Sequence, residues 1–212
     1  MDHVSRSRLP ADQRRALIEQ AAERLFAISG YAGTRLEDIA AAANVTKPIL
    51  YRHFDSKKAL YLALLERHGQ AQLQFVGPTA SETSFSARLP LLIDGWFASV
   101  EERPDIWRMI FSDTTGDADI QSARLRLQAG ARTIIINVLE AQSELSIASD
   151  EVVPLAELFR SATVGLVLWK LDHPAVPRAL LVDLVTRAIQ GVLDGHRYAN
   201  GESGASGQVR HS

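Results

Sequence analysis

Apolar residues recur along this chain at spacings of three and four, the period of a helix with one buried face. Leu17, Ala21, Leu25 and Ile28 follow that rhythm, with Arg14, Arg15, Glu19 and Glu23 between them, and predict a first helix over residues 11–28. Gly30 and Gly33 end it and turn the chain. Thr34-Arg35-Leu36-Glu37 has the spacing of a capping box and opens a second helix that runs through Ile39 to Ala43, where Asn44 breaks it. Thr46 caps a short third helix over residues 47–54, with Pro48 in its first turn, where a missing N–H costs little. Asp55-Ser56 starts a fourth helix that reaches about Phe75.

Residues 76–84 carry Gly, Pro, Ser and Thr and read as a loop. Phe85, Leu89, Leu92, Ile93, Trp96, Phe97 and Val100 then mark a fifth helix, which Arg103-Pro104 breaks. A short sixth covers residues 106–111, and a loop with Asp113, Gly116 and Asp117 follows. The seventh covers residues 118–143, the eighth residues 153–171, and the ninth residues 176–197. The last residues, 199–212, offer Gly and Ser in place of apolar anchors and are expected to be disordered. No run alternates with the period of a strand. The expectation is an all-α protein of about nine helices, with a helix-turn-helix domain over residues 1–57, a helical body over residues 58–198, and the tail beyond.

The net charge of −2 over 212 residues speaks against a polyanion partner until its distribution is considered. Residues 1–60 hold ten Lys/Arg against seven Asp/Glu, an excess of +3, while the remainder holds thirteen against eighteen. A basic head on an acidic body suits a protein that presents one end to nucleic acid. There is no cysteine, which excludes disulfides and cysteine-ligated zinc. Residues 1–10 lack the apolar core of a signal peptide, and the apolar run at residues 162–169 is too short to span a bilayer, so a cytoplasmic address without membrane contact is expected. His68, His173 and His196 are read as structural or surface residues; no pair stands at metal-binding spacing, and neither metal nor cofactor is expected.

Three short helices and a long one, the second and third joined by a tight turn, form a helix-turn-helix arrangement. The stretch GYAGTRLEDIAAAANVTKPILYRHFDSKKAL, from Gly30 to Leu60, closely resembles the DNA-binding signature of the TetR family of transcriptional regulators. Its Asp-Ile-Ala core and its Val-Thr-x-Pro-x-Leu-Tyr-x-His-Phe-x-Ser-Lys-x-x-Leu run match at the family's spacing. Ile39, Ala40, Val45, Leu50, Phe54 and Leu60 are assigned to the core of the head. Lys57 and Lys58 occupy the first turn of the fourth helix, where the helix dipole disfavours cations, a placement that makes sense if a phosphate binds there. The resemblance implies that Tyr51, His53 and Lys57 hold phosphates, and that Lys47, Pro48, Ile49 and Arg52 meet base edges. Thr34, Arg35 and Thr46 complete the expected DNA-facing set. Arg35 stands where many members carry Ser or Thr, and gains a phosphate or base contact; Pro48 stands where many carry Gly.

For the body the resemblance is one of architecture. It implies an effector cavity enclosed by the fifth to seventh helices, and a four-helix bundle made by the eighth and ninth with their mates in a homodimer. Ser161, Ala162, Gly165 and Leu166 permit close approach on the eighth helix, and Leu181, Val185, Ile189, Val192 and Leu193 form a stripe on the ninth. Trp96, Phe97, Trp107, Met109 and Phe111, with Asn137 expected as a buried amide, are the candidate lining of a site for a small apolar or aromatic effector. Substituting Trp107 or Phe111 is expected to spare operator affinity, the head being a separate unit. The reading is a repressor that binds a palindromic operator as a dimer and is released by its effector. An activator or ligand-independent regulator remains open. A helical enzyme or carrier is the rival from another class, and no nucleophile–base pair or phosphate-cradling glycine loop supports it.

Overall fold

The computed structural model of the chain describes residues 10–75, 84–111, 116–142, 145 and 147–205. Among these residues the regular elements are helices: α1 (Ala11–Gly33), α2 (Leu36–Ala42), α3 (Lys47–Tyr51), α4 (Lys57–Phe75), α5 (Phe85–Glu102), α6 (Pro104–Phe111), α7 (Ala118–Glu140), α8 (Val152–Asp172) and α9 (Arg178–Ala205). The loop expected at residues 76–84 lies outside the described residues except for Ser84, which precedes α5. Residues 199–205, expected to be disordered, continue α9 as helix; the remainder of that tail lies outside the described residues.

The chain divides into two compact units. The first holds the described residues up to His68 together with Asp105–Arg124, and the second holds Gly69–Pro104 and the chain from Leu125 onward. The first unit is therefore larger than the three N-terminal helices, taking in the first part of α4, all but the first residue of α6, and the start of α7. In the second unit α9 packs most extensively on α5, and α8 touches both.

Gly30 explains how α1 ends. Its φ of 66° and ψ of 175° belong to a region essentially reserved for glycine, and the helix bends there before Tyr31–Gly33 complete a last turn. The predicted stripe on α1 is only partly the buried one. Ile18, Ala21, Ala22 and Phe26 face inward, whereas Leu17 is exposed and Ile28 is 79% exposed. The reason is tertiary. Phe26 meets Tyr61 of α4 edge-on at 4.8 Å, and the buried Glu19 and Glu23 are held on the same side by Arg67 and His68 of α4. Arg67 Nη2 donates to Glu23 Oε1 at 2.8 Å and its Nη1 to Glu19, while His68 Nε2 lies 2.6 Å from Glu23 Oε1. Buried carboxylates are tolerated when paired and hydrogen-bonded in this way.

The first unit is also tied through α6. The Tyr61 hydroxyl donates to the Met109 carbonyl at 3.0 Å, and Arg124 Nη2 reaches both the hydroxyl, at 2.6 Å, and that carbonyl, at 3.1 Å. Asp117 caps α7 by accepting from the Asp119 and Ile120 N–H groups.

Candidate nucleic-acid interface

Two short helices and the turn between them build the surface. Asn44, at φ 52°, takes the left-handed conformation that Asn tolerates better than other non-glycine residues, and so reverses the chain after α2. Val45 N–H donates back to the Ala40 carbonyl at 2.9 Å, closing the turn. Thr46 then stands at the N-cap position of α3, with Lys47 and Pro48 as the first helical residues. Its hydroxyl makes no capping bond, and its carbonyl accepts from the Ile49 and Leu50 N–H groups.

Leu50 and Phe54 pin this segment to the head, joined by buried Ile39, Ala40 and Leu60, as expected. Val45, expected with them, is half-buried. The opposite side of α3 presents Thr46, Lys47, Pro48, Tyr51 and Arg52 to solvent, with Ile49 and His53 half-buried between them. Arg35, just before α2, is exposed beside them in sequence order with Glu37 and Asp38.

The charges on this surface are not equivalent. Lys47 Nζ lies 2.5 Å from Glu37 Oε1, a pair in which both side chains are about half exposed. Their hydrogen bond holds the Glu37 carboxyl below its ordinary value and the Lys47 ammonium above its own. Arg52, by contrast, makes no ion pair among the described residues. Lys57 is turned inward: its ammonium donates to the Tyr31 carbonyl at 2.7 Å and the Thr34 carbonyl at 2.9 Å, and lies 4.4 Å from the centre of the Tyr31 ring. Lys58 reaches Asp119 at 2.6 Å and Asp117 at 3.5 Å at the start of α7. The two lysines at the start of α4 thus have partners within the chain, which balances the unfavourable helix dipole without requiring an anion.

Thr34 lies inside rather than on the surface. It is 3% exposed, and its hydroxyl donates to the Gly30 and Leu25 carbonyls, at 2.8 and 3.1 Å. It does not cap α2: Arg35 occupies the N-cap position and makes no side-chain capping bond. The capping-box expectation fails because the hydroxyl is used to close the bend at Gly30. Ser56 does cap, accepting from the Ala59 N–H at 3.0 Å at the start of α4.

The candidate effector residues fall in both units. Phe97, fully buried, and half-buried Trp96 lie on α5 in the second unit. Trp107 and Met109 are buried on α6 in the first, where the Trp107 and Phe111 rings stack with centroids 5.5 Å apart. Asn137 is exposed on α7, so the buried-amide argument for it does not hold. The neighbouring Ile134, Ile135 and Ile136 are half-buried and Leu139 is buried, leaving Asn137 on the outward side of the run. Among the described residues no group of three or more His, Asp or Glu could hold a metal ion.

Comparison with known proteins decides what this surface belongs to. Residues 18–64 match the family model of bacterial regulatory proteins, tetR family. The chain is 30% identical over 168 residues to the HTH-type transcriptional activator FasR of Mycolicibacterium smegmatis, covering 78% of this chain and 73% of that protein. The chain belongs to the TetR family. It is a DNA-binding transcriptional regulator. A shorter match, 57% identical over 37 residues, 18% of this chain and 20% of the relative, is to the biofilm operon icaADBC HTH-type negative transcriptional regulator IcaR of Staphylococcus aureus. In fold it is similar to a TetR-like transcriptional regulator from Rhodococcus sp. RHA1, with a TM-score of 0.75 and 21% identity over 89% of this chain and 100% of that one. TetR-family regulators bind DNA as dimers and respond to small-molecule effectors. Two features of this TetR-family head were not among the sequence candidates. The Glu37 carboxylate on Lys47 and the Arg67–His68 clasp on Glu19 and Glu23 each join residues distant in sequence, and no local spacing announces them.

Proposed function

We propose that this regulator binds a palindromic operator as a homodimer in the cytoplasm, and that a small apolar effector controls its occupancy. The observation that carries the DNA reading is the solvent-facing set on α3, with Arg52 in no ion pair among the described residues, anchored by buried Leu50 and Phe54. Lys47 and Arg52 would donate to guanine, and Pro48 and Ile49 would touch thymine methyls. Thr46, Tyr51, His53 and Arg35 would hold phosphates, as would Lys57 if it exchanged its carbonyl partners for one. Two copies would place their recognition helices in successive major grooves about 34–36 Å apart.

The second unit supports the dimer. Leu158, Ala162, Gly165 and Trp169 lie along one exposed face of α8, and Leu180, Leu184, Ala188 and Gly191 along one exposed face of α9. On α8 large residues flank two small ones, and on α9 two leucines are followed by two small residues, so each row has a stretch suited to close helix approach. On α9 this face differs from the stripe expected from sequence: Leu181, Val185 and Leu193 are buried within the chain. α8 also has the length and composition of a membrane span, and cover by a second copy accounts for that apolar character without a bilayer.

Operator occupancy most simply represses by blocking polymerase. Activation is a second reading, favoured by the relative matched over most of the chain, which is named an activator. A gel shift on the chain's own upstream intergenic DNA, followed by transcription in vitro from that fragment, tests both readings. A retarded complex is expected, with transcript falling for a repressor and rising for an activator. Absence of a complex more stable than on scrambled DNA would refute the operator reading.

A further inference from the structure

The ion pair at the start of α3 has a consequence for sequence discrimination. Lys47 is the first residue of the recognition helix, and its ammonium is held by Glu37 of α2 at 2.5 Å, across the turn. Both groups are about half exposed, so the pair lies at the surface, where Thr46, Pro48 and Arg52 are exposed too, and does not belong to the core. An uncommitted lysine on such a surface donates to whichever phosphate it reaches, which adds affinity for every sequence alike. A lysine held by a carboxylate gains nothing on random DNA unless it breaks that bond. It also points where the carboxylate holds it.

We infer that Glu37 is a specificity-determining positioning residue: it restrains the Lys47 ammonium toward a base edge and withholds it from non-cognate phosphates. The inference rests on the assignment of Lys47 to base reading. Arg52 supplies the contrast, as a cation on the same surface with no ion-pair partner among the described residues. Lys47 alone should therefore depend on Glu37.

The test uses the full-length protein and two duplexes: one selected by the wild type from a random library, and its scrambled counterpart. Binding is measured against salt for the wild type, Glu37→Gln, Lys47→Gln and the double variant, and the selection is repeated with each. Glu37→Gln is expected to bind the scrambled duplex roughly two- to fivefold tighter, the range of one exposed ion pair. Its salt dependence should steepen by about 0.9 per recognition helix, as one more phosphate is engaged. The reselected sites should lose preference at the position that Lys47→Gln also relaxes. In the Lys47→Gln background the Glu37 substitution should do neither. An equal gain with and without Lys47 would make Glu37 a merely repelling charge and overturn the inference. So would unchanged scrambled-duplex affinity and unchanged preference in Glu37→Gln while Lys47→Gln does relax one position. If Lys47→Gln relaxes nothing, the base-reading assignment fails first and takes this inference with it.

Discussion

Single residues in the head divide by what already holds them. Lys57 donates to two backbone carbonyls, Thr34 closes the bend at Gly30, and Lys47 is held by Glu37, whereas Arg52 makes no ion pair among the described residues. Arg52→Ala should therefore cost binding with little change in melting temperature. The loss should be about 1–3 kcal/mol on the cognate site and less on scrambled DNA, as for a lost base contact. Lys57→Met should register first as instability. Removing a charged donor from two carbonyls costs about 1–3 kcal/mol, measurable as a lower urea midpoint in the absence of DNA. An unchanged midpoint with weaker binding would return Lys57 to the phosphate role. Gly30→Ala forces a Cβ into a backbone region essentially reserved for glycine, and should destabilise by about 1–3 kcal/mol in the same assay.

At the scale of elements, apolar periodicity together with cap and breaker residues was sufficient to place the nine described helices, the long ones by a buried face and the short second and third by Asn44, Thr46 and Pro48 around their turn. Their ends were less legible. α3 stops at Tyr51 instead of running to Phe54, as the chain turns to bring Phe54 inward, and α9 continues to Ala205. The helix-turn-helix was legible as a group, but the place of α6 was not. α6 carries candidate effector residues but belongs to the same compact unit as the head, tied to α4 by Tyr61, Met109 and Arg124. Sequence reasoning expected Trp107→Ala to spare operator binding. With Trp107 only 2% exposed in that unit, the substitution should instead cost about 3–5 kcal/mol and lower the fraction of protein competent to bind DNA. Thermal melting and operator titration of the same sample check this; a melting temperature equal to wild type would contradict it.

For the whole molecule, the exposed apolar faces of α8 and α9 set the expectation. A Cβ added at Gly165 would meet nothing within 4 Å in the single chain. Gly165→Leu should thus leave the chain folded, with wild-type helicity, while overpacking the dimer and weakening it by about 1–3 kcal/mol. Sedimentation across a concentration series reads the shift from dimer to monomer, and operator binding should fall with it, because one recognition helix cannot span two half-sites. A wild type that is monomeric at micromolar concentration would remove these faces as the dimer surface. Loss of helicity in Gly165→Leu would mean that the glycine serves the chain itself.

The sequence alone determined the all-helical fold, the helix-turn-helix and the family. These follow from short-range features: spacings of three and four, a glycine or asparagine where the backbone must turn, and the run from Val45 to Leu60. Tertiary structure decided which of two overlapping stripes on α1 is buried, that Asn137 faces outward, and which face of α9 is left open. It also decided which cations of the head remain available. A helix's periodicity defines its faces but not the neighbour that covers each. An ion pair such as Glu37–Lys47 depends on a turn bringing two helices together, which depends in turn on the buried side chains that hold both in place.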